Sequence, residues 1–347
     1  MINISEQRRG THPNGKAIFV YTLQNKPGTI VHITNYGAII MAIKIKKSDN
    51  TYNDIVLGFE EPAQYWNAAY LANYPYYGAA IGRYGNRIDK ASIQIDDKTY
   101  PLNSHNPGFQ LHGGVEGFDK KVWERIDGRA DELILQYISP DGEEGFPGEL
   151  TVQIRFKLND ENELSYAYHA TTDQPTAVNL THHSYFNLNN GEGNIHNHLL
   201  KVNASQYLEQ DDNYCTTGKA IAVEGTRNNF KDFRKTGDIE NPEEGIDISF
   251  PLDETGLNQV AAEAMVEGQD IKLQVFTTEP LVHLYNSRWS PAITGKNGTP
   301  YAAFSGFCFE TQKHPNAIRI TSFPNTILRP GEVYQTKTVY KFITPDI

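Results

Sequence analysis

"ELTVQIRFKL", residues 149–158, alternates apolar and polar side chains without a break: Leu150, Val152, Ile154, Phe156 and Leu158 fall on one side, Thr151, Gln153, Arg155 and Lys157 on the other. A period of two is the signature of a β-strand with one buried face. "NDENE" (159–163) then supplies turn-forming residues, and "LSYAYHATT" (164–172) resumes the alternation with Leu164, Tyr166 and Tyr168, so the two runs predict an antiparallel hairpin. Working outward, the same kind of run recurs as "AIFVYTL" (17–23), "TIVHITNYGAIIMAIKI" (29–45), "ASIQIDDKTYPL" (91–102), "ELILQYIS" (132–139), "IKLQVFTT" (271–278) and "TKTVYKFI" (336–343). Clusters such as "SPDGEEGFPGE" and "RPGE" separate them. Helical periodicity is nearly absent. The pattern predicts an all-β protein, a large antiparallel β-sandwich, and without a linker or fixed repeat residues 1–347 read as one domain.

Composition narrows the function. The chain has 347 residues, 39% of them hydrophobic, with 31 lysines and arginines against 42 acidic residues, a net charge of −11. No basic stripe is present to follow phosphates, so nucleic acid is a poor partner. Nothing approaches the roughly 20 apolar residues of a membrane span, and the N-terminus lacks the apolar core of a signal peptide. Two cysteines, Cys215 and Cys308, are too few for a disulfide framework and fit a reducing compartment. The expectation is a soluble cytoplasmic protein, monomer or homodimer, acting on a small molecule.

Four stretches carry polar groups that strand and turn chemistry alone would not require. In "NLTHHSYFNL" (179–188) an extended backbone would turn Val178, Leu180 and His182 to one face and Asn179, Thr181, His183, Tyr185 and Asn187 to the other. The second face is a row of hydrogen-bonding groups suited to a hydroxylated ligand, which makes His183 rather than His182 the functional candidate. In "FQLHGGVEGFDK" (109–120), His112 precedes a Gly pair that can turn sharply and present the ring at a loop tip. In "EEGIDISFPL" (243–252), Asp247 lies opposite the apolar face of Ile246, Ile248 and Phe250. In "GFCFETQKHP" (306–315), Glu310 sits among apolar neighbours whose desolvation would raise its pKa toward that of a base working near neutral pH. Each also has a bland explanation as a satisfied structural or surface group. "YGAAIGRYGNRIDK" (77–90) is glycine-rich but lacks the Gly-Lys-Ser/Thr ending of a phosphate loop; Asn86 and Arg87 could instead recognise ligand oxygens.

Taken in order, "GRYGNRI", "LHGGVEGFDKKVW", "SPDGEEGFPGEL", "NLTHHSYFNL", "GFCFETQ" and "LRPGE" resemble the aldose 1-epimerase family, the galactose mutarotases, along nearly the whole chain. The resemblance implies the galactose mutarotase-like supersandwich and interconversion of the α and β anomers of a free aldohexose such as galactose or glucose. It implies His183 as general acid and Glu310 as general base, with His112 beside the reacting oxygens and Asn86, Arg87 and Asp247 holding the sugar. It implies no cofactor and no metal. His182 stands where the family commonly has asparagine. His283, in "TTEPLVHLYNS" (277–287), stands where the family usually has a sugar-gripping glutamine. If His283 lines the site, His283→Gln is expected to alter the galactose-to-glucose preference, because imidazole and amide cannot satisfy the same hydroxyls; the alternation of Leu281, His283 and Tyr285 does not say which face meets the pocket. Three rival readings compete: a metal centre of His112, His183 and Glu310, a non-catalytic sugar-binding module, and a sugar-phosphate epimerase, which would want cations at the pocket rim.

Overall fold

The computed structural model describes residues 3–106, 108–127, 131–239, 241–268 and 271–344. The hairpin read from the sequence forms as expected: Leu150–Leu158 pairs antiparallel with Glu163–Thr172, from Leu150 opposite Thr172 to Leu158 opposite Leu164. These strands lie inside a nine-stranded sheet that also takes in Leu133–Ser139, Tyr334–Ile343, Lys272–Thr277 and Ala262–Val266. All of its pairings are antiparallel. A second, five-stranded sheet runs in chain order from Asn3–Thr11 to Tyr52–Asp54. The alternating side chains of the two sheets meet in one apolar core, where Leu23, Ile33, Ile43 and Ile45 of the smaller sheet join Val152, Ile154, Phe156 and Leu164 of the larger. Burying one face of each sheet against the other is what a period of two in both requires. The result is an antiparallel β-sandwich whose longest helical segments are the 3₁₀ turn Pro62–Trp66 and the four-residue helix Ala68–Leu71. No helix among the described residues is long and apolar enough to cross a membrane.

One apolar run divides where its sequence alone suggested continuity. "TIVHITNYGAIIMAIKI" forms two paired strands, Ile30–Thr34 and Ile40–Lys46. Gly37 turns the chain between them with φ of 62°, and a Cβ there would lie 2.3 Å from the Asp119 backbone oxygen. A residue with a side chain could not make that approach.

The site is built on a three-stranded sheet ordered Asp247–Pro251, Leu281–Tyr285, Cys308–Gln312. Its register sets Ser249 opposite His283 and His283 opposite Glu310. Paired residues share a face, as do residues two apart, so Asp247, Ser249, His283, Cys308 and Glu310 all project to one side. Ile248, Phe250, Val282, Leu284 and Phe309, on the other side, belong to the main core. The core anchors this sheet by one face and leaves the other free for chemistry.

Candidate active site

A cleft enclosing about 590 Å³ of space, open mouth included, is lined by Asn73–Tyr76, Asn86, Arg87, Leu111, His112, His183, Tyr185, Asp247, His283, Tyr285, Trp289, Ser290 and Glu310. All seven residues singled out from the sequence therefore meet in one place.

His183 follows the short strand Thr181–His182, which pairs with Ala80–Ile81. The two histidines separate as the alternation predicts. His182 is fully buried, its Nδ1 with Ser184 Oγ at 3.1 Å and its Nε2 with the Ala38 carbonyl at 3.4 Å. His183 lines the cleft. Two other members of the polar row do not: Asn187 donates to the Ser305 carbonyl at 2.9 Å, and Asn179 accepts from the Lys313 backbone at 2.9 Å. Extended pairing lasts only two residues in this segment, so strict alternation does not run its whole length; of the row, His183 and Tyr185 line the cleft.

Cys308 Sγ lies 3.4 Å from His183 Nδ1. The other ring nitrogen, Nε2, is 3.5 Å from Glu310 Oε1. The rings of Tyr76 and Tyr185 lie nearly parallel to that of His183, with centroids 5.8 and 5.0 Å away. The His183 side chain is 3% exposed and that of Glu310 1%. Burial therefore acts on both pKa values and favours the uncharged form of each. Desolvation raises Glu310 to about 7, as its apolar strand predicted. Desolvation, reinforced by His283, lowers His183 to about 3, so this imidazole is strongly tuned toward neutrality.

His112 departs from expectation in another way. The ring is buried, not held out at a loop tip. Gly113 packs so tightly on the Gly82 backbone that a Cβ would come within 1.9 Å of its carbonyl oxygen, and this draws the turn inward. Pairing of Arg87–Asp89 with Phe109–Leu111 brings His112 beside Asn86. Both adopt left-handed backbone, at φ of 50° and 61°, a conformation that histidine and asparagine tolerate better than most residues and that functional sites tend to hold. The Asn86 backbone N–H donates to His112 Nδ1 at 3.2 Å, and the His112 N–H donates to the Asn86 carbonyl at 3.1 Å. An accepting Nδ1 puts the imidazole hydrogen on Nε2. Desolvation, with His183 next in importance, keeps this ring well below the usual histidine range.

Arg87 reaches Asp247, Nη1 to Oδ2 at 3.4 Å, with its guanidinium over the rings of Tyr214 and Phe109. Burial alone would raise Asp247; Arg87 and then His283 override it and bring its carboxyl to about 2. Neither residue is the exposed surface group that a random arginine or aspartate would be. Arg83 of the same "GRYGNR" stretch has a structural part instead, donating to Ser139, Pro140 and Pro147.

Among the charged side chains described in the cleft, three buried polar atoms have no hydrogen-bond partner: Arg87 Nε, Asp247 Oδ2 and Glu310 Oε2. Orphaned buried donors and acceptors are rare in proteins, and a donor and two acceptors together suit a ligand carrying several hydroxyls. His112, His183 and Glu310 also offer ligand atoms within 4.8 Å of one another, a set that could meet a metal ion. Sequence reading missed Cys308, Tyr76 and Trp289, whose neighbourhood to the site depends on strand register and loop path rather than on any local pattern.

The sequence profile described as aldose 1-epimerase matches residues 20–341. The chain is 36% identical over 350 residues to the galactose mutarotase of Sus scrofa, covering 99% of each chain. It is 32% identical over 341 residues to the aldose 1-epimerase of Escherichia coli (strain K12), covering 95% of this chain and 97% of that one. Among solved structures, an aldose epimerase homologue from C. elegans superimposes with a TM-score of 0.86 at 26% identity, covering all of both chains.

Proposed function

The chain belongs to the aldose 1-epimerase family and interconverts the anomers of an aldose, and from that premise we propose that Glu310 and His183 are its base and acid, acting on a free aldohexose such as galactose or glucose. The carrying observation is the buried pair itself, Glu310 Oε1 and His183 Nε2 at 3.5 Å on the wall of a cleft lined with hydrogen-bonding groups. Ring opening needs one proton removed from the C1 hydroxyl and one delivered to the ring oxygen. Glu310 as carboxylate takes the first and His183 as imidazolium gives the second; the C1–O5 bond breaks to the open aldehyde. Rotation about C1–C2 exposes the other carbonyl face. In closure the carboxylic acid donates to the carbonyl oxygen while the neutral imidazole accepts from the O5 hydroxyl, which restores the starting charges.

The pair carries one proton throughout. Burial favours the arrangement with neutral His183 and protonated Glu310, the one that closes the ring, and the close approach of the two groups lets the proton cross to form the charge-separated arrangement that opens it. Cys308 suits this cycle: a neutral His183 whose Nε2 has just given up its proton carries hydrogen on Nδ1, where the sulfur accepts it weakly. His112 Nε2–H offers a donor near the reacting oxygens. Asn86, Arg87 and Asp247 hold the remaining hydroxyls so that the reacting atoms stay aligned, and His283 closes the wall beside Asp247.

Among the described residues, Arg87 is the only lysine or arginine lining the cleft, and it is paired with Asp247. That favours a free sugar over a phosphorylated one, whose dianion would want unpaired cations. Polarimetry or NMR on pure α-anomers tests the whole reading. Catalytic amounts of protein are expected to speed the approach to anomeric equilibrium for galactose and glucose; no acceleration over buffer with any aldose would leave a sugar-binding module.

A further inference from the structure

His283 lines the cleft, yet neither of its ring nitrogens is free for a ligand. Nδ1 lies 2.8 Å from Ser249 Oγ, and Nε2 lies 2.6 Å from Asp247 Oδ1. Both histidine and serine are 2% exposed, so the contacts are sheltered from water. Strand register builds this chain: Ser249 is directly across from His283, and Asp247 stands two residues from Ser249 on the same face.

The hydrogens are constrained as follows. A carboxylate can only accept, so Nε2 carries a hydrogen and donates it to Asp247 Oδ1. A neutral imidazole then has a bare Nδ1, which the Ser249 hydroxyl donates to. If the ring takes a second proton, Nδ1–H donates to the same hydroxyl, because serine can serve in either direction. The Nε2–H to Asp247 bond survives in both cases. It occupies Oδ1 and leaves Oδ2, which has no hydrogen bond and lies 3.4 Å from Arg87 Nη1.

We infer that His283, steadied by Ser249, is a positioning residue that fixes the Asp247 carboxylate so that Oδ2, beside Arg87, is the acceptor presented to a sugar hydroxyl. The inference rests on the sugar reading of the cleft. It replaces the sequence expectation of direct contact by His283, since the geometry leaves that ring no nitrogen to offer. A carboxylate torsion is broad, and an unheld Asp247 would lose entropy each time it ordered around ligand. His283 removes that cost beforehand, and the benefit belongs to binding rather than to the proton transfers.

The test is a matched measurement of galactose Kd by calorimetry, of KM and kcat by polarimetry, and of Tm for His283→Leu, His283→Gln and Ser249→Ala. Leucine removes the donor to a charged acceptor and is expected to raise Kd and KM at least ~10-fold, with kcat held within ~3-fold. Glutamine can carry an amide N–H to the same place, and it should restore Kd and KM to within ~3-fold while preserving the galactose-to-glucose ratio of kcat/KM. Ser249→Ala, which unseats the ring without touching Asp247, should raise Kd about 3-fold or more. A several-fold change of the sugar ratio in His283→Gln would mean direct contact and overturn the inference, as would a parent-like Kd in a folded leucine variant. Should leucine fail to fold, the glutamine and alanine variants still decide. The parent protein separates the two readings: binding with this pattern but no anomerisation refutes the catalytic proposal alone, whereas anomerisation with unchanged Kd refutes the positioning role alone.

Discussion

Glu310→Gln should make the protein slower and, above neutral pH, more stable. The carboxyl is 1% exposed and its Oε2 has no hydrogen-bond partner, so the ionised form is poorly solvated. Desolvation raises its pKa from 4.5 to about 7. The sign follows from linkage. Below the unfolded value the group is protonated in both states and costs nothing; as pH rises through 4.5 the unfolded chain ionises first, and the fold is penalised increasingly until the native group ionises near 7, beyond which the penalty is constant. At about 1.4 kcal/mol per pH unit between those limits the penalty is about 3 kcal/mol. Glutamine keeps the shape without the charge. Between pH 5 and pH 9 its stabilising effect relative to the parent should therefore grow by about 2–3 kcal/mol, and with an unfolding entropy near 0.7 kcal/mol/K for 347 residues the Tm difference should grow by about 3–4 °C. Differential scanning calorimetry at both pH values measures this, and taking the difference cancels any pH-independent effect of the substitution. Polarimetry on the same samples should show at least ~10²-fold lower kcat, the usual scale for removing a positioned base. A Tm difference that is the same at pH 5 and pH 9 would refute the reasoning, since Glu310 would then ionise in the fold as easily as in the unfolded chain.

His183→Ala should also lose at least ~10²-fold in turnover, whereas His182→Asn, whose ring contacts only Ser184, Ala38 and core aromatics, should change kcat by no more than a few-fold while costing about 1–2 kcal/mol of stability from its disturbed buried bonds; equal losses from both would mean that the segment does not present them to opposite sides. Because the base and acid together need one proton, kcat/KM should fall as pH rises through about 7, where Glu310 gives up the last one; a profile flat to pH 9 would contradict this. Chelator treatment should leave the rate unchanged and elemental analysis should find no stoichiometric metal; one iron or zinc per chain, removable with loss of activity, would instead assign His112, His183 and Glu310 as ligands.

Strands and the sorting of their faces were legible in the order of residues alone. Alternation in 149–158 and 164–172 reports burial of every second side chain, and burial is a property that neighbouring residues share along a strand; the hairpin and its register were legible for that reason. The same logic separated His183 from His182 and Asp247 from Ile246 and Ile248. It went too far where pairing stopped early, at Asn187, and where a glycine packed against distant backbone, at His112. Whether His283 meets the cleft could not be read locally, because either face of its strand carries residues able to be buried. Register decided it, by setting Ser249 and Glu310 across from it. The contacts made by the site's polar groups, Cys308 on His183 and His283 on Asp247, join positions 125 and 36 residues apart. No periodicity encodes such pairs: a hydrogen bond depends on distances of a few tenths of an ångström, which exist only once the sheets have packed.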